Sequence, residues 1–247
     1  MTIQLHTDER VDYVAGGKLK VIQSPHVFSF SIDAVLLARF VHVPIQKGAM
    51  LDLCSGNGII PLILSERSKA SIIGVEIQER LYDMAERNAL LNKKTEQISF
   101  VHSDLNALPN SIKGITYDVV TCNPPYFETV TEKEKNQNLH LAIARHEMYC
   151  TLEDVIRVSS QLVKDKGKVA LVHRPERLAS MMTLMRHYKI EPKRVQFIHP
   201  KQGKDANIVL LEGIKASKPG LICLPPLMVY NNEGVYTEEF RKVYEGR

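Results

Sequence analysis

The chain has no long hydrophobic run: nowhere do 18 apolar residues stand together, which excludes a membrane-spanning helix of ordinary length. Its opening, Met1 to Arg10, lacks an apolar core of signal-peptide length, so the cytoplasm is the expected compartment. Internal repeats and low-complexity segments are absent. Cysteine is scarce. Cys54, Cys122, Cys150 and Cys223 are widely spaced and form no C-x-x-C pair, which argues against a metal site or a disulfide framework and for small packing residues. What remains is ordinary for a globular protein, with 44% apolar and 24% charged residues. The 247 residues suffice for one large α/β domain, or for a domain with a small appendage. No obligatory protein partner is evident.

The net charge is only +4, but it is unevenly placed. Residues 173–204 hold eight Lys/Arg against Glu176 and Glu191, a net of +6 that leaves −2 for the rest of the chain. A basic segment in a near-neutral protein suggests a polyanionic partner, with Lys193, Arg194 and Lys201 as candidate contacts; a solvated helix face is the plainer alternative. His173 and His199, in the same stretch, read as packing or surface residues.

Apolar runs and amphipathic segments alternate. The first 30 residues read as a small cap with short strands, Leu19 to Ile22 among them. Ser31 is placed to N-cap a helix over Ile32 to Phe40, closed before Pro44. Strands are expected at Ala49–Leu53, Ser71–Glu76, Gln97–His102, Tyr117–Cys122 and Lys168–His173. Helices are expected over Asn57–Arg67 and Gln78–Asn92, from Thr151 in capping style, and after Pro175. Arg194–Ile198 and Asn207–Leu211 are joined too closely for a helix and should pair as an antiparallel hairpin. Residues 128–140 are polar and read as a mobile loop. The sum is a doubly wound, mostly parallel sheet with helices on both faces, which binds ligands at the carboxyl ends of its strands.

Those ends carry the chemistry. Asp52-Leu53-Cys54-Ser55-Gly56-Asn57-Gly58 follows the first strand, and its glycines allow a tight turn close to a ligand. Glu76 closes the second strand, where a carboxylate can accept from ribose hydroxyls. Asp104 follows the third and can accept from an adenine amino group. A nucleoside thus fits along the edge. A dinucleotide does not fit, because Pro61 stands where the fingerprint needs a third small residue, and Asp52 would repel a pyrophosphate. A donor bearing a sulfonium and an ammonium tolerates an acidic rim. The fourth strand runs into Asn123-Pro124-Pro125-Tyr126. Two prolines stop the strand and leave a rigid turn. An amide oxygen, a free carbonyl and a flat ring then stand together, a set suited to a planar amino group.

In this order the motifs resemble those of the class I S-adenosylmethionine-dependent methyltransferases, over about residues 23–213. Asn-Pro-Pro-Tyr resembles the turn of the members that methylate amino groups. The stretch Gln23-Ser24-Pro25-His26-Val27-Phe28-Ser29-Phe30-Ser31-Ile32-Asp33-Ala34-Val35-Leu36-Leu37 is similar to the small-domain methyltransferases. The whole chain is most similar to the bacterial tRNA-valine adenine-N6-methyltransferases. The resemblance implies a seven-stranded Rossmann-like methyltransferase sheet ending in an antiparallel hairpin, with residues 1–30 as cap and 31–247 as catalytic domain. It implies S-adenosylmethionine as cofactor and tRNA as partner, with no metal and no membrane. It places the cofactor beside Phe30, Asp33, Asp52, Cys54, Ser55, Gly56, Asn57, Gly58, Glu76, Ile77, Asp104, Leu105 and Asn123. Asn123, Pro124, Pro125 and Tyr126 take the catalytic position, and Arg145 joins the candidate RNA contacts. A ribosomal RNA base or a protein glutamine is the alternative acceptor. A non-catalytic RNA-binding module is the alternative class.

Overall fold

In the computed structural model, residues 3–27, 30–126 and 150–246 are described. A two-stranded antiparallel ribbon, β1 (Arg10–Val14) and β2 (Leu19–Gln23), precedes helix α1 (Ile32–Phe40). The main sheet is then built from β3 (Ala49–Leu53), β4 (Ser71–Glu76), β5 (Ile98–His102), β6 (Tyr117–Cys122), β7 (Val163–His173), β8 (Ile190–Lys201) and β9 (Ile208–Lys215). Two short strands absent from the expected seven, β10 (Ile222–Cys223) and β11 (Leu227–Tyr230), pair with the outer side of β8 and bring the sheet to nine. β10 is two exposed residues, and β11, with Leu227 and Val229 buried, is only four residues long, so neither offers a run long enough to mark a strand.

The spatial order is β10-β8-β9-β7-β6-β3-β4-β5. Strands β5, β4, β3, β6 and β7 are mutually parallel, and β9 alone runs against its neighbours, forming the expected hairpin with β8. From β3 the chain winds outward to β5, then returns to place β6 on the other side of β3. That reversal opens a crevice at the carboxyl ends of β3 and β6, where ligands of such sheets sit.

Alternate residues of each strand feed two cores. Met50 and Ala170 face one, while Leu51, Leu53, Val169 and Leu171 face the other, as period 2 requires. A register shift between Tyr117 and Val119 breaks the alternation on β6 and sends Tyr117 and Val120 to the same side. Helices α2 (Ile59–Ser65) and α3 (Glu79–Leu91) cover one face. Short α4 (Asn110–Lys113), α5 (Leu152–Leu162) and α6 (Leu178–His187) cover the other, and α7 (Glu238–Glu245) packs on β11. α2 is shorter than expected because Gly58 is left-handed, at φ +82°, and holds the chain out of the helix. A Cβ there would stand 2.6 Å from the Phe100 ring.

The N-terminal ribbon is not a separate body. Val14, Leu19 and Val21 belong to the same core as α1 and α2. Asparagines one helical turn apart on α3 grip β2 as a partner strand would. Asn88 Oδ1 accepts from Ile22 N at 2.7 Å, and Asn92 bonds both Lys20 N and Lys20 O, at 2.9 and 2.7 Å. α1 begins after Ser31 as expected, but the Ser31 hydroxyl caps nothing and is buried without a partner.

Candidate active site

The carboxyl ends of β3, β4, β5 and β6 line a cleft that is open at its mouth. Its wall contains Phe30, Cys54, Ser55, Gly56, Asn57, Glu76, Ile77, Asp104, Leu105 and all of Asn123 to Tyr126. Both halves of the expected site therefore share one space.

The loop after β3 is held from below. Glu76 is 5% exposed, and its two oxygens accept from Gly56 N at 2.7 Å and Gln78 N at 2.9 Å. Both acceptors expected for ribose already serve the backbone, but a carboxylate has lone pairs for further donors. Burial raises the Glu76 pKa, and backbone N–H groups pull it back. Cys54 adopts φ +55°, the left-handed region, to swing the chain into the turn. Its sulfur lies 3.9 Å from that of Cys150. Hydrogen bonding with Cys122, then burial, keeps the Cys54 thiol well above its usual pKa. All four cysteines are free, and Cys223 is exposed rather than packed.

Three expected cofactor residues do not reach the cleft wall. Asp52 is fully buried beneath the loop; Oδ1 accepts from Thr121 Oγ1 at 2.7 Å, and Oδ2 has no partner. Burial pushes it up to about 7. Gly58 lies behind the loop, against Phe100. Asp33 approaches Tyr126 instead, with its Oδ2 2.6 Å from Tyr126 Oη. Asn57 reaches the wall, yet its side chain donates to Ile22 O at 3.2 Å and ties the loop to β2. Asp104 caps a short turn by accepting from Asn106 N at 2.8 Å. Gln78, Ser103 and Ser31 also line the cleft. The first two were legible as neighbours of Glu76 and Asp104, whereas nothing in the sequence marked Ser31 as more than a cap.

The tetrapeptide closes the cleft beside β6. Tyr126 Oη is also 2.8 Å from Asn123 Oδ1, and its ring leans on that of His173, 4.9 Å between centroids. Burial, then the Asp33 charge, holds the Tyr126 phenol protonated. His173 is fully buried, and Nδ1 accepts from Arg174 N at 2.8 Å, so Nε2 carries the proton, without a partner. Burial, then the Arg177 and Arg174 charges, lowers its pKa to about 4. It packs, as expected. The cleft wall carries Glu76 and Asp104 and, among the described residues, no Lys or Arg. That composition disfavours a phosphate and fits a cationic donor, so the residues present suit S-adenosylmethionine.

The basic segment divides. β8 runs parallel to β7, so Lys201 at its end and Lys204 in the following turn lie at the cleft's edge of the sheet. Arg174 and Arg177, just after β7, join them there. Lys193 and Arg194 sit near the start of β8, roughly 25 Å from Lys201 at the strand rise. Arg194 is committed to contacts within the fold. Its Nη1 donates to buried Glu212 at 3.0 Å and to Phe40 O at 3.2 Å, and its guanidinium lies 4.5 Å from the Phe40 ring centroid. Lys193 donates to Lys218 O at 3.1 Å. Arg145 and the loop at 128–140 lie outside the described residues.

Residues 46–197 match the UPF0020 family model, described as RMKL-like, methyltransferase domain. A tRNA1(Val) (adenine(37)-N6)-methyltransferase of Aeromonas hydrophila is 25% identical over 213 residues, covering 84% of this chain and 85% of that protein. One of the same name from Parabacteroides distasonis is 28% identical, over 73% of this chain and 74% of its own. Among solved structures, a predicted O-methyltransferase from Agrobacterium tumefaciens superposes with a TM-score of 0.69 at 22% identity, over 87% of this chain and 97% of its own. The tRNA m1G37 methyltransferase of M. jannaschii gives 0.61 at 14% identity, over 85% and 58%. These two likenesses are of fold.

Proposed function

From the premise that this chain belongs to the RMKL-like methyltransferase-domain family, we propose that it transfers a methyl group from S-adenosylmethionine to N6 of an adenine in tRNA, at position 37 of a valine tRNA. One observation carries the reading. A strand-end Asn-Pro-Pro-Tyr turn shares a cleft with Glu76 and Asp104, and no Lys or Arg lines that cleft among the described residues.

Glu76 and Asp104 would hold the cofactor's ribose and adenine, and Gly56 and Ser55 let the loop backbone approach it. When bound, S-adenosylmethionine supplies an electrophilic methyl group on a sulfonium. The chain's own part is to prepare the acceptor. The lone pair of adenine N6 is delocalised into the ring. Asn123 and the Pro124 carbonyl accept its two hydrogens, enrich that lone pair and aim it along one line. Positioning of this kind supplies about 7–11 kcal/mol in well-oriented systems. The Tyr126 ring, backed by His173, offers a face for the extruded base, worth about 1–3 kcal/mol. A base leaves a tRNA loop more cheaply than a duplex. Lys201, Lys204 and Arg174, on the cleft's edge, are the cations best placed for phosphates, and Lys193 and Arg194 are not.

The test is methylation of total RNA with labelled cofactor, followed by nucleoside analysis. Label in N6-methyladenosine of tRNA supports the reading. Label in ribosomal RNA or in protein overturns it. Asn123→Ala should lower kcat at least about a hundredfold, the scale of a lost preorganised polar group, with S-adenosylhomocysteine affinity kept.

A further inference from the structure

The Tyr126 hydroxyl has one proton and two oxygen neighbours, Asp33 Oδ2 at 2.6 Å and Asn123 Oδ1 at 2.8 Å. A phenol donates once. The contact to Asp33 falls in the range of a charge-assisted O–H···O⁻ bond, about 2.5–2.7 Å, so the carboxylate takes the proton. The phenol oxygen then presents only lone pairs to Asn123. A carboxamide can meet lone pairs with one end alone, its NH2. Its two ends are nearly isosteric and exchange by a half-turn.

We propose that Asp33, acting through the Tyr126 hydroxyl, sets the Asn123 carboxamide with its NH2 on Tyr126 and its oxygen turned to the cleft. The amide's other end meets no described protein group, and Asn123 lines the cleft. Asp33 is thus a positioning residue and lies off the cleft wall. It stands in the first turn of α1, whose Ala34 to Ala38 are buried, so a rigid element fixes the carboxylate. The consequence is a choice of substrate. An oxygen facing the cleft accepts from an N–H and repels a carbonyl, so the site takes an amino-bearing base and refuses an oxo-bearing one. The inference rests on the reading of this cleft as an amino-group acceptor site.

Removing Asp33's charge reverses the relay. In Asp33→Asn the new amide can donate to the phenol oxygen, and the phenol proton then occupies the Asn123 oxygen. In Tyr126→Phe the ring stays, and Asn123 is merely unheld. Asp33→Asn should therefore lower kcat roughly ten- to a hundredfold, more than Tyr126→Phe does. In the double variant kcat should return to the Tyr126→Phe level. Affinity for S-adenosylhomocysteine should stay within about twofold throughout, since no described cofactor contact is touched. Additive losses, or a loss of cofactor affinity matching that of kcat, would overturn the proposal.

A second readout needs no substrate. The Asn123 side-chain NH2 resonance, assigned by its disappearance in Asn123→Asp, should be protected from exchange in the free enzyme and unprotected in Tyr126→Phe. Equal exchange in both would sink the relay even if Asp33→Asn fails to fold. Failure of the tRNA reading looks different: wild-type enzyme leaves no N6-methyladenine in RNA, while amide protection is unchanged.

Discussion

Glu76 and Glu212 are both buried, at 5% and 1% exposed, and the protein treats them in opposite ways. Glu212, in the antiparallel part of the sheet, is enclosed by cationic or ionisable partners. It accepts from Arg194 at 3.0 Å and from His42 N at 2.8 Å, with His42 Nδ1 3.0 Å away. Among the described residues, Glu76, at the parallel sheet's carboxyl edge, accepts from backbone N–H groups, and Asp52 beside it from a threonine hydroxyl, with no Lys or Arg on either. One end neutralises its buried charge, which holds the fold. The other leaves its charge to be answered by a ligand, which makes a site.

The comparison can be broken at four points. Arg194→Met removes the permanent cation from buried Glu212 and leaves it the His42 contacts, and should cost up to about 3–5 kcal/mol of stability in denaturant unfolding, with S-adenosylhomocysteine affinity unchanged. A loss below about 1 kcal/mol would mean that His42 alone compensates the buried carboxylate.

His173 gives the second point, through pH. Its folded pKa of about 4 lies below the ordinary histidine value of 6.5, so between these values the unfolded chain binds more protons than the folded one. Stability should fall as pH drops from 6.5 to 4, by up to roughly 3 kcal/mol. His173→Gln should flatten that part of the profile; an unchanged slope there would assign the acid limb to other groups.

Glu76→Gln is the third. It should weaken S-adenosylhomocysteine binding by about 1.5–3 kcal/mol, since one amide end cannot accept from the loop. Calorimetric titration reads this directly, and unaltered affinity would contradict the assignment of Glu76 to the cofactor.

The smallest effect separates the two ends of β8. Lys201→Ala with Lys204→Ala should lower the salt slope of tRNA binding by about 0.7–0.9 for each phosphate no longer neutralised, and Lys193→Ala should leave it alone. The reverse pattern would move the RNA to the other edge.

Much of this site was legible in the chain. Glu76, Asp104 and Asn123 each stand at or just past an apolar run, and strand ends in such sheets converge on one edge whatever the side chains are. The strands of the parallel core were legible for the same reason, since buried on both faces they read as continuous apolar runs. β10 and β11 were not, because two exposed residues and a four-residue strand are too short to read as apolar runs. The ion pair of Arg194 was not legible because sequence records its charge and not its partner, which is 18 residues away along the chain and adjacent across the hairpin. Asp33 was assigned to the cofactor because the resemblance places the whole Phe30-to-Asp33 stretch beside it. Phe30 precedes α1 while Asp33 lies in its first turn, and the Asp33 carboxylate approaches Tyr126 instead.

Sequence alone determined the kind of chemistry. The turn Asn123 to Tyr126 is rigid because proline geometry is local, and an acidic strand end is acidic in any fold. Tertiary structure decided which groups answer which. Charge compensation is a matter of distance: Arg194 is neutralised, Glu76 is not, and a single phenol proton, shared across 93 residues of chain, sets the orientation we assign to the acceptor amide.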